Sequence, residues 1–436
     1  MANLAFLKKS AFIRNFLAYM SGGVVAKAIG LAVFLCIGKL LPAESYAEFA
    51  LFMLVASFLS VFAGFGLKSG MLRIIWDDRR AVLTNSLFIV VVFSLLMALV
   101  LFVAGDLFFS VLNPVYGFLA DYKLLIAFRV FGVTSIAVLS AYYVSIEKPA
   151  QFLKVNIVSS AISLAMLLVL TITETPAGMD VLWLVIVVQT TAGLISAIYG
   201  LIISRGYLDL SLISIRTCIS ILKQTSVFLL KNLIGVLQTY AARIVLSVIA
   251  TNYLLGVYSF YTTLLIQLSF LTDIFNKAYI PKIRNLLLSH EADLRKHAHV
   301  LVKKSVRIYA LTGIPLFLFL GIVIYIMFVG RELLARFIQP DYLTNLHLFY
   351  FMLFAWFIGN IRSFFEVWQY THDRRVNRHI IIIHTVLLFV LYLGSVFFYD
   401  VFGVYGMVVN QICVYLLYLG YSFTCYKRFV LIPDRV

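Results

Sequence analysis

The chain of 436 residues is 63% hydrophobic and 12% charged, with a mean hydropathy of +1.02. Soluble domains carry about 25% charged residues, so a water-soluble globule is excluded and a polytopic membrane protein is implied. A formal net charge of +16 would suggest nucleic acid in a soluble chain, but here most basic residues lie in loops between apolar segments, where they set topology.

Apolar stretches long enough to cross a bilayer, which takes ~20 residues at 1.5 Å each, fall at about 15–38, 46–67, 82–104, 124–145, 154–173, 181–203, 224–250, 253–275, 306–329, 346–370, 380–399 and 404–425. This pattern predicts an all-α polytopic membrane protein of about twelve transmembrane helices. Lys8, Lys9 and Arg14 precede a first segment too long for a signal-peptide core, and no small-residue cleavage site follows. With the amino terminus and every second loop placed in the cytoplasm, the outer loops hold only Lys39, Lys123, Arg331 and Arg336. That positive-inside bias predicts two cytoplasmic termini. The cysteines (Cys36, Cys218, Cys413, Cys425) have no metal-ligand spacing and read mainly as small hydrophobes.

Two inner connections are amphipathic. In 206–222, Leu208, Leu212, Ile215, Ile219 and Leu222 recur at helical spacing among Arg205, Arg216 and Lys223, which predicts a helix lying in the membrane interface. In 276–305, Ile280, Ile283 and Leu287 share a face among many lysines and arginines, as in a solvated elbow or a surface for anionic headgroups. Residues 41–52 (LPAESYAEFALF) align with 250–261 (ATNYLLGVYSFY), each with a small residue, Ala47 or Gly256, two before an aromatic, Phe49 or Tyr258. The expected organisation is therefore a six-helix bundle over 1–205, a linker helix over 206–222 and a second six-helix bundle over 223–436. A pseudo-two-fold axis would relate the bundles.

Residues 40–49 (LLPAESYAEF) precede an apolar helix that ends Gly64-Phe-Gly-Leu-Lys-Ser-Gly-Met-Leu-Arg73. This resembles the start of polysaccharide exporters of the multidrug/oligosaccharidyl-lipid/polysaccharide (MOP) superfamily, and is similar to its O-antigen flippases (Wzx type). Ala47 stands where that pattern usually has Gly. Helix count and the two basic inner connections extend the likeness over essentially the whole chain. The resemblance implies a flippase that carries an undecaprenyl-diphosphate-linked oligosaccharide from the cytoplasmic to the periplasmic leaflet of the bacterial inner membrane. It also implies alternating access. Its implied partners are the polyprenyl-diphosphate-linked oligosaccharide, membrane lipids, and the polysaccharide polymerase and chain-length proteins.

Five basic residues lie inside predicted helices: Lys27, Arg129, Lys231, Arg243 and Arg362. A cation in hydrocarbon costs roughly 2.5–3.5 kcal/mol on insertion scales, so such residues usually face a bundle interior or a wet cavity. They are the candidates for a cationic lumen that meets a diphosphate. Arg suits phosphate by bidentate bonding and Lys by point charge. Each has a purely structural alternative. Lys27 shares a face with Gly23 and Gly30 and can serve as a packing contact. Arg362 has Glu366 at i+4, a spacing that allows an ion pair. Arg129 is near enough to the outer surface to snorkel, and ranks lowest. The embedded acids Asp273 and Glu366 are candidates for proton or sodium coupling; no other cofactor is called for. A multidrug cation antiporter of the same superfamily would want deeply embedded acids, which are scarce. A membrane polysaccharide polymerase would want a large outer loop bearing catalytic groups. No phosphate-cradling Gly-rich loop and no catalytic His motif occurs, so an enzyme is not expected.

Overall fold

A computed structural model describes residues 25–74, 78–112, 114–146, 148–173, 180–268, 338–365 and 374–427, with isolated positions between 300 and 330. The ninth predicted segment and the 276–305 connection lie essentially outside the described residues. Among the described residues all regular structure is helical, and seven helices are long and apolar enough to cross a membrane. The protein is an all-α, multi-pass membrane protein.

After a first helix, α1, at 25–40, the chain forms α2 (Ala43–Gly64), the short α3 (Leu67–Arg73), α4 (Arg79–Leu112), α5 (Lys123–Ser145), α6 (Pro149–Ile172) and α7 (Val181–Ile203). These are followed by α8 (Ile215–Ile249), α9 (Asn252–Leu268), α10 (Leu346–Phe365) and α11 (Arg374–Tyr426). Local chemistry sets several of these ends. Asp180 caps α7 by accepting the Leu182 N–H at 2.9 Å. Pro149 opens α6 at the position where a missing N–H does no harm. Phe65 and Gly66, both left-handed, turn the chain from α2 into α3.

Contacts divide the chain into two compact units. One is Ala28–Ser259; the other comprises Met1–Lys27 and Phe260–Val436. In the first, α2 and α7 are the most enclosed helices, with α5 packed against both. Helices α4 and α6 turn Leu95, Phe102, Val103, Val169 and Ile172 outward, as lipid-facing surfaces should. In the second unit α10 packs on α11. Helix α11 covers both of the last two predicted segments, and Gly403 (φ 63, ψ −152) breaks it where they were expected to part. The arms on either side fold against each other. Asn410 donates to the Leu391 carbonyl at 3.0 Å and to Ser395 Oγ at 3.2 Å, and the His384 ring bonds the Tyr418 hydroxyl.

Each unit also contains a 3₁₀ turn beginning Pro-x-Tyr ahead of a long helix. Pro114–Tyr122 leads into α5 and Pro340–Leu343 precedes α10. The Tyr116 hydroxyl bonds Ser247 Oγ at 2.9 Å, whereas the Tyr342 ring stacks on Phe260 with centroids 4.0 Å apart.

The expected helix over 206–222 requires correction. Residues 205–214 contain two short 3₁₀ turns, Arg205–Tyr207 and Leu210–Leu212, and helix begins only at Ile215, as the first turns of α8. Three polar side chains account for this. Asp209 accepts the Ser211 N–H at 3.0 Å and hydroxyl at 2.6 Å, a local bond that competes with helix. The Ser211 hydroxyl, then its N–H, hold the Asp209 carboxyl below the usual carboxylate range. Asn85, fully buried on α4, donates to the Leu212 carbonyl at 2.9 Å and accepts the Ser214 N–H at 2.9 Å. The Asp209 N–H donates to Thr84 Oγ1 at 3.2 Å. The connector is thus pinned to α4 rather than wound as a helix.

Candidate functional site

Arg129 lies six residues into α5 and Arg243 six residues from the end of α8, so both sit about 9 Å inside their helix ends at 1.5 Å per residue. Arg243 is only 4% exposed. Its Nη2 donates to the Ser259 carbonyl at 3.2 Å, and its guanidinium carbon lies 5.2 Å from the Tyr240 ring centre. Tyr240 also lies within electrostatic reach of Arg129 and bonds Ser57 Oγ through its hydroxyl at 3.1 Å. One phenol therefore bridges the surroundings of two arginines.

Arg129 does not snorkel. Its Nη1 donates to the backbone carbonyl of Gln189 on α7. The helices can approach this closely because Gly132 faces Gly193: a Cβ at Gly132 would stand 3.0 Å from the Gly193 carbonyl carbon, and one at Gly193 would stand 3.2 Å from Arg129 Nη1. The guanidinium of Arg129 therefore points into the unit, against the snorkelling alternative. Arg129 Nε and Gln189 Nε2 are buried with no hydrogen-bond partner among the described residues. Two unspent donors in an apolar interior suit an anion or polar ligand. Among the described residues, Arg129 has no carboxylate within 4.0 Å, and the ion pair that does form, Lys123–Asp106 at 2.9 Å, is elsewhere.

Residues 12–287, well over half of the chain, match the family described as "Polysaccharide biosynthesis protein". The chain belongs to that polysaccharide biosynthesis family, within the MOP superfamily. Solved structures agree on the fold. An inward-facing multidrug resistance MATE family transporter of the MOP superfamily matches with TM-score 0.67 at 13% identity, covering 97% of this chain and 99% of that one. The outward-facing conformation of a MATE family transporter matches with TM-score 0.62 at 15% identity, covering 96% and 95%. A MATE P26A mutant matches with TM-score 0.61 at 16% identity, covering 98% and 97%. Comparison with curated proteins finds no match. Family and fold are those of MOP-superfamily transporters.

The other predicted site residues of this polysaccharide-family protein are more scattered. Lys231 is half-buried on α8, twelve residues before Arg243 and so about 18 Å away along the axis. Lys27 is half-buried on α1. Arg362 belongs to α10, but its side chain lies outside the described residues, as do Asp273 and Glu366. Sequence reasoning missed Tyr240, Ser57 and the Gln189 carbonyl, and also an acidic group at the opposite end from the connector. There Glu48 is half-buried within electrostatic reach of Asp180 and Glu44, and the Tyr122 hydroxyl donates to Asp180 Oδ2 at 3.4 Å. Only the spacing of Glu44 and Glu48 on one face of α2 could have signalled it.

Proposed function

We propose that the protein is a flippase that moves an undecaprenyl-diphosphate-linked oligosaccharide, the repeat unit of an O-antigen or similar surface polysaccharide, from the cytoplasmic to the periplasmic leaflet. The observation that carries this reading, beside family membership, is half-buried Arg129, held by a neutral carbonyl and with a buried donor to spare. A guanidinium that forms no ion pair among the described residues stabilises a passing diphosphate by charge-assisted bonds. The same guanidinium repels a cationic drug, which weighs against a multidrug antiporter. Lys27, Lys231, Arg243 and Arg362 supply further cationic steps, and alternating access by the 1–205 and 223–436 bundles exposes them in turn. The polyprenyl tail stays in lipid while the headgroup crosses. The charge bias of the loops supports an orientation with both termini cytoplasmic, and the polysaccharide-exporter resemblance supports the bacterial inner membrane as the compartment. Asp273, Glu366 or the Glu48 group provide sites for proton or sodium coupling. The polymerase and chain-length proteins act on the product in the outer leaflet.

The test is the leaflet in which lipid-linked single repeat units accumulate in a deletion strain. Accumulation facing the cytoplasm is expected. Accumulation facing the periplasm would instead mean that polymerisation, not flipping, is lost.

A further inference from the structure

The ends of α4 to α8 that meet at the connector carry a second polar assembly, separate from Arg129 and Arg243. Tyr142 and Tyr143 close α5 and are buried; Tyr207 of the connector meets them edge to face, at 5.8 Å and 6.3 Å between ring centres. Lys148, at the start of α6, donates to the Tyr207 hydroxyl and lies 4.7 Å from its ring centre. The Tyr143 hydroxyl bonds Ser204 Oγ. Arg79 and Arg80, on the first turn of α4, lie within electrostatic reach of Tyr142, and Arg80 also of Asp209. Arg205 and Arg216 flank the connector.

Among the described residues, none of Arg79, Arg80, Lys148, Arg205 and Arg216 has a carboxylate within 4.0 Å. The four arginines are exposed and Lys148 is half-buried. Beside them, apolar side chains stand open: Leu210 is 79% and Ile215 is 76% exposed, and Ile202 and Ile219 are also exposed. Water alone does not favour that much exposed aliphatic surface; acyl chains do. Cations that form no ion pair among the described residues, at the edge of an acyl-covered surface, call for an anion at headgroup level. The site is also rigid beforehand, because Asn85 and Thr84 hold the connector.

We propose that this assembly is a docking site for an anionic phospholipid of the adjacent leaflet, its phosphate taken by Arg79, Arg80 and Lys148 and its acyl chains lying on Ile202, Leu210, Ile215 and Ile219. Tyr207 positions the Lys148 ammonium. The proposal stands apart from the flipping reading, since a bulk lipid and not the transported one is bound.

The test compares phosphatidylglycerol with phosphatidylcholine of equal chain length on the purified full-length protein, by native mass spectrometry of retained lipid. The wild type should retain phosphatidylglycerol preferentially. In the Arg79→Gln/Arg80→Gln/Lys148→Gln variant the preference should fall by roughly tenfold or more, since three headgroup contacts are lost. Lys123→Gln, a cation at the opposite end of α5, should leave it unchanged. The Arg79→Gln/Arg80→Gln double variant, at exposed positions, should lower the preference with lipid-free thermal unfolding unaltered, and it decides the matter if the triple variant folds poorly. Unchanged preference in the double variant would overturn the proposal. So would competition by glycerol phosphate as effective as by phosphatidylglycerol, since that identifies a phosphate site indifferent to acyl chains.

Discussion

Arg243 is held by directional contacts, a carbonyl on one side and a phenol face on another. A lysine keeps the charge but has neither the planar fork nor the stacking surface. Arg243→Lys is therefore expected to lower surface polysaccharide in a deletion strain about tenfold at normal membrane abundance, equivalent to about 1.4 kcal/mol in the transport step. Full polysaccharide would mean that the residue supplies field alone. Arg129→Ala should be as damaging as Arg243→Ala, because its guanidinium points inward to the Gln189 carbonyl; a harmless Arg129→Ala would restore the snorkelling reading. The arginines were legible in sequence because a charge interrupts an apolar run and cannot be hidden in it. Tyr240 and Gln189 were not. One tyrosine among 25 in an apolar chain gives no signal, and Gln189 contributes a backbone carbonyl that every residue has.

Helices were legible from length and hydropathy, and so was the interruption of α11, where the apolar pattern lapses around Asp400. Gly403 shows why the break needs that residue. At φ 63 and ψ −152 it occupies a region essentially closed to residues with a Cβ. A Cβ there would meet nothing within 4 Å. Gly403→Ala should therefore destabilise by backbone strain alone, of order 1–3 kcal/mol, seen as a lower unfolding temperature in detergent. Gly420→Ala also enters open space, but within regular helix; it should be neutral or stabilising by up to about 1 kcal/mol. Equal effects of the two changes would refute the strain argument. The connector shows the opposite limit of sequence reading. Its period favoured a helix, but Asn85 reaches its backbone from 129 residues away, and no local pattern encodes that.

For the whole molecule, chain order and contact order differ. The sequence puts α8 at the head of the second half, yet its contacts group it with α2, α3 and α4. Paired aromatic turns, Pro114-x-Tyr116 and Pro340-x-Tyr342, support a duplicated architecture, although Ser247 secures one tyrosine and Phe260 the other. The repeat noticed in the sequence lay elsewhere, at 41–52 and 250–261, because a three-residue motif with different partners is too short to stand out.

The pinned connector makes the covalent link at Leu210–Ser211 dispensable. If the backbone were cut there, Thr84 would still moor the upstream end through Asp209, and Asn85 would moor the downstream end through Leu212 and Ser214. The downstream piece would also begin with α8, a helix that among the described residues packs on α2, α3 and α4 upstream of the cut. The gene should thus be divisible into two cistrons, 1–210 and 211–436, whose products interlock in the membrane and restore polysaccharide when made together but not singly. Cistrons divided inside α8, at Gly235, should fail, because that cut severs the element that joins them.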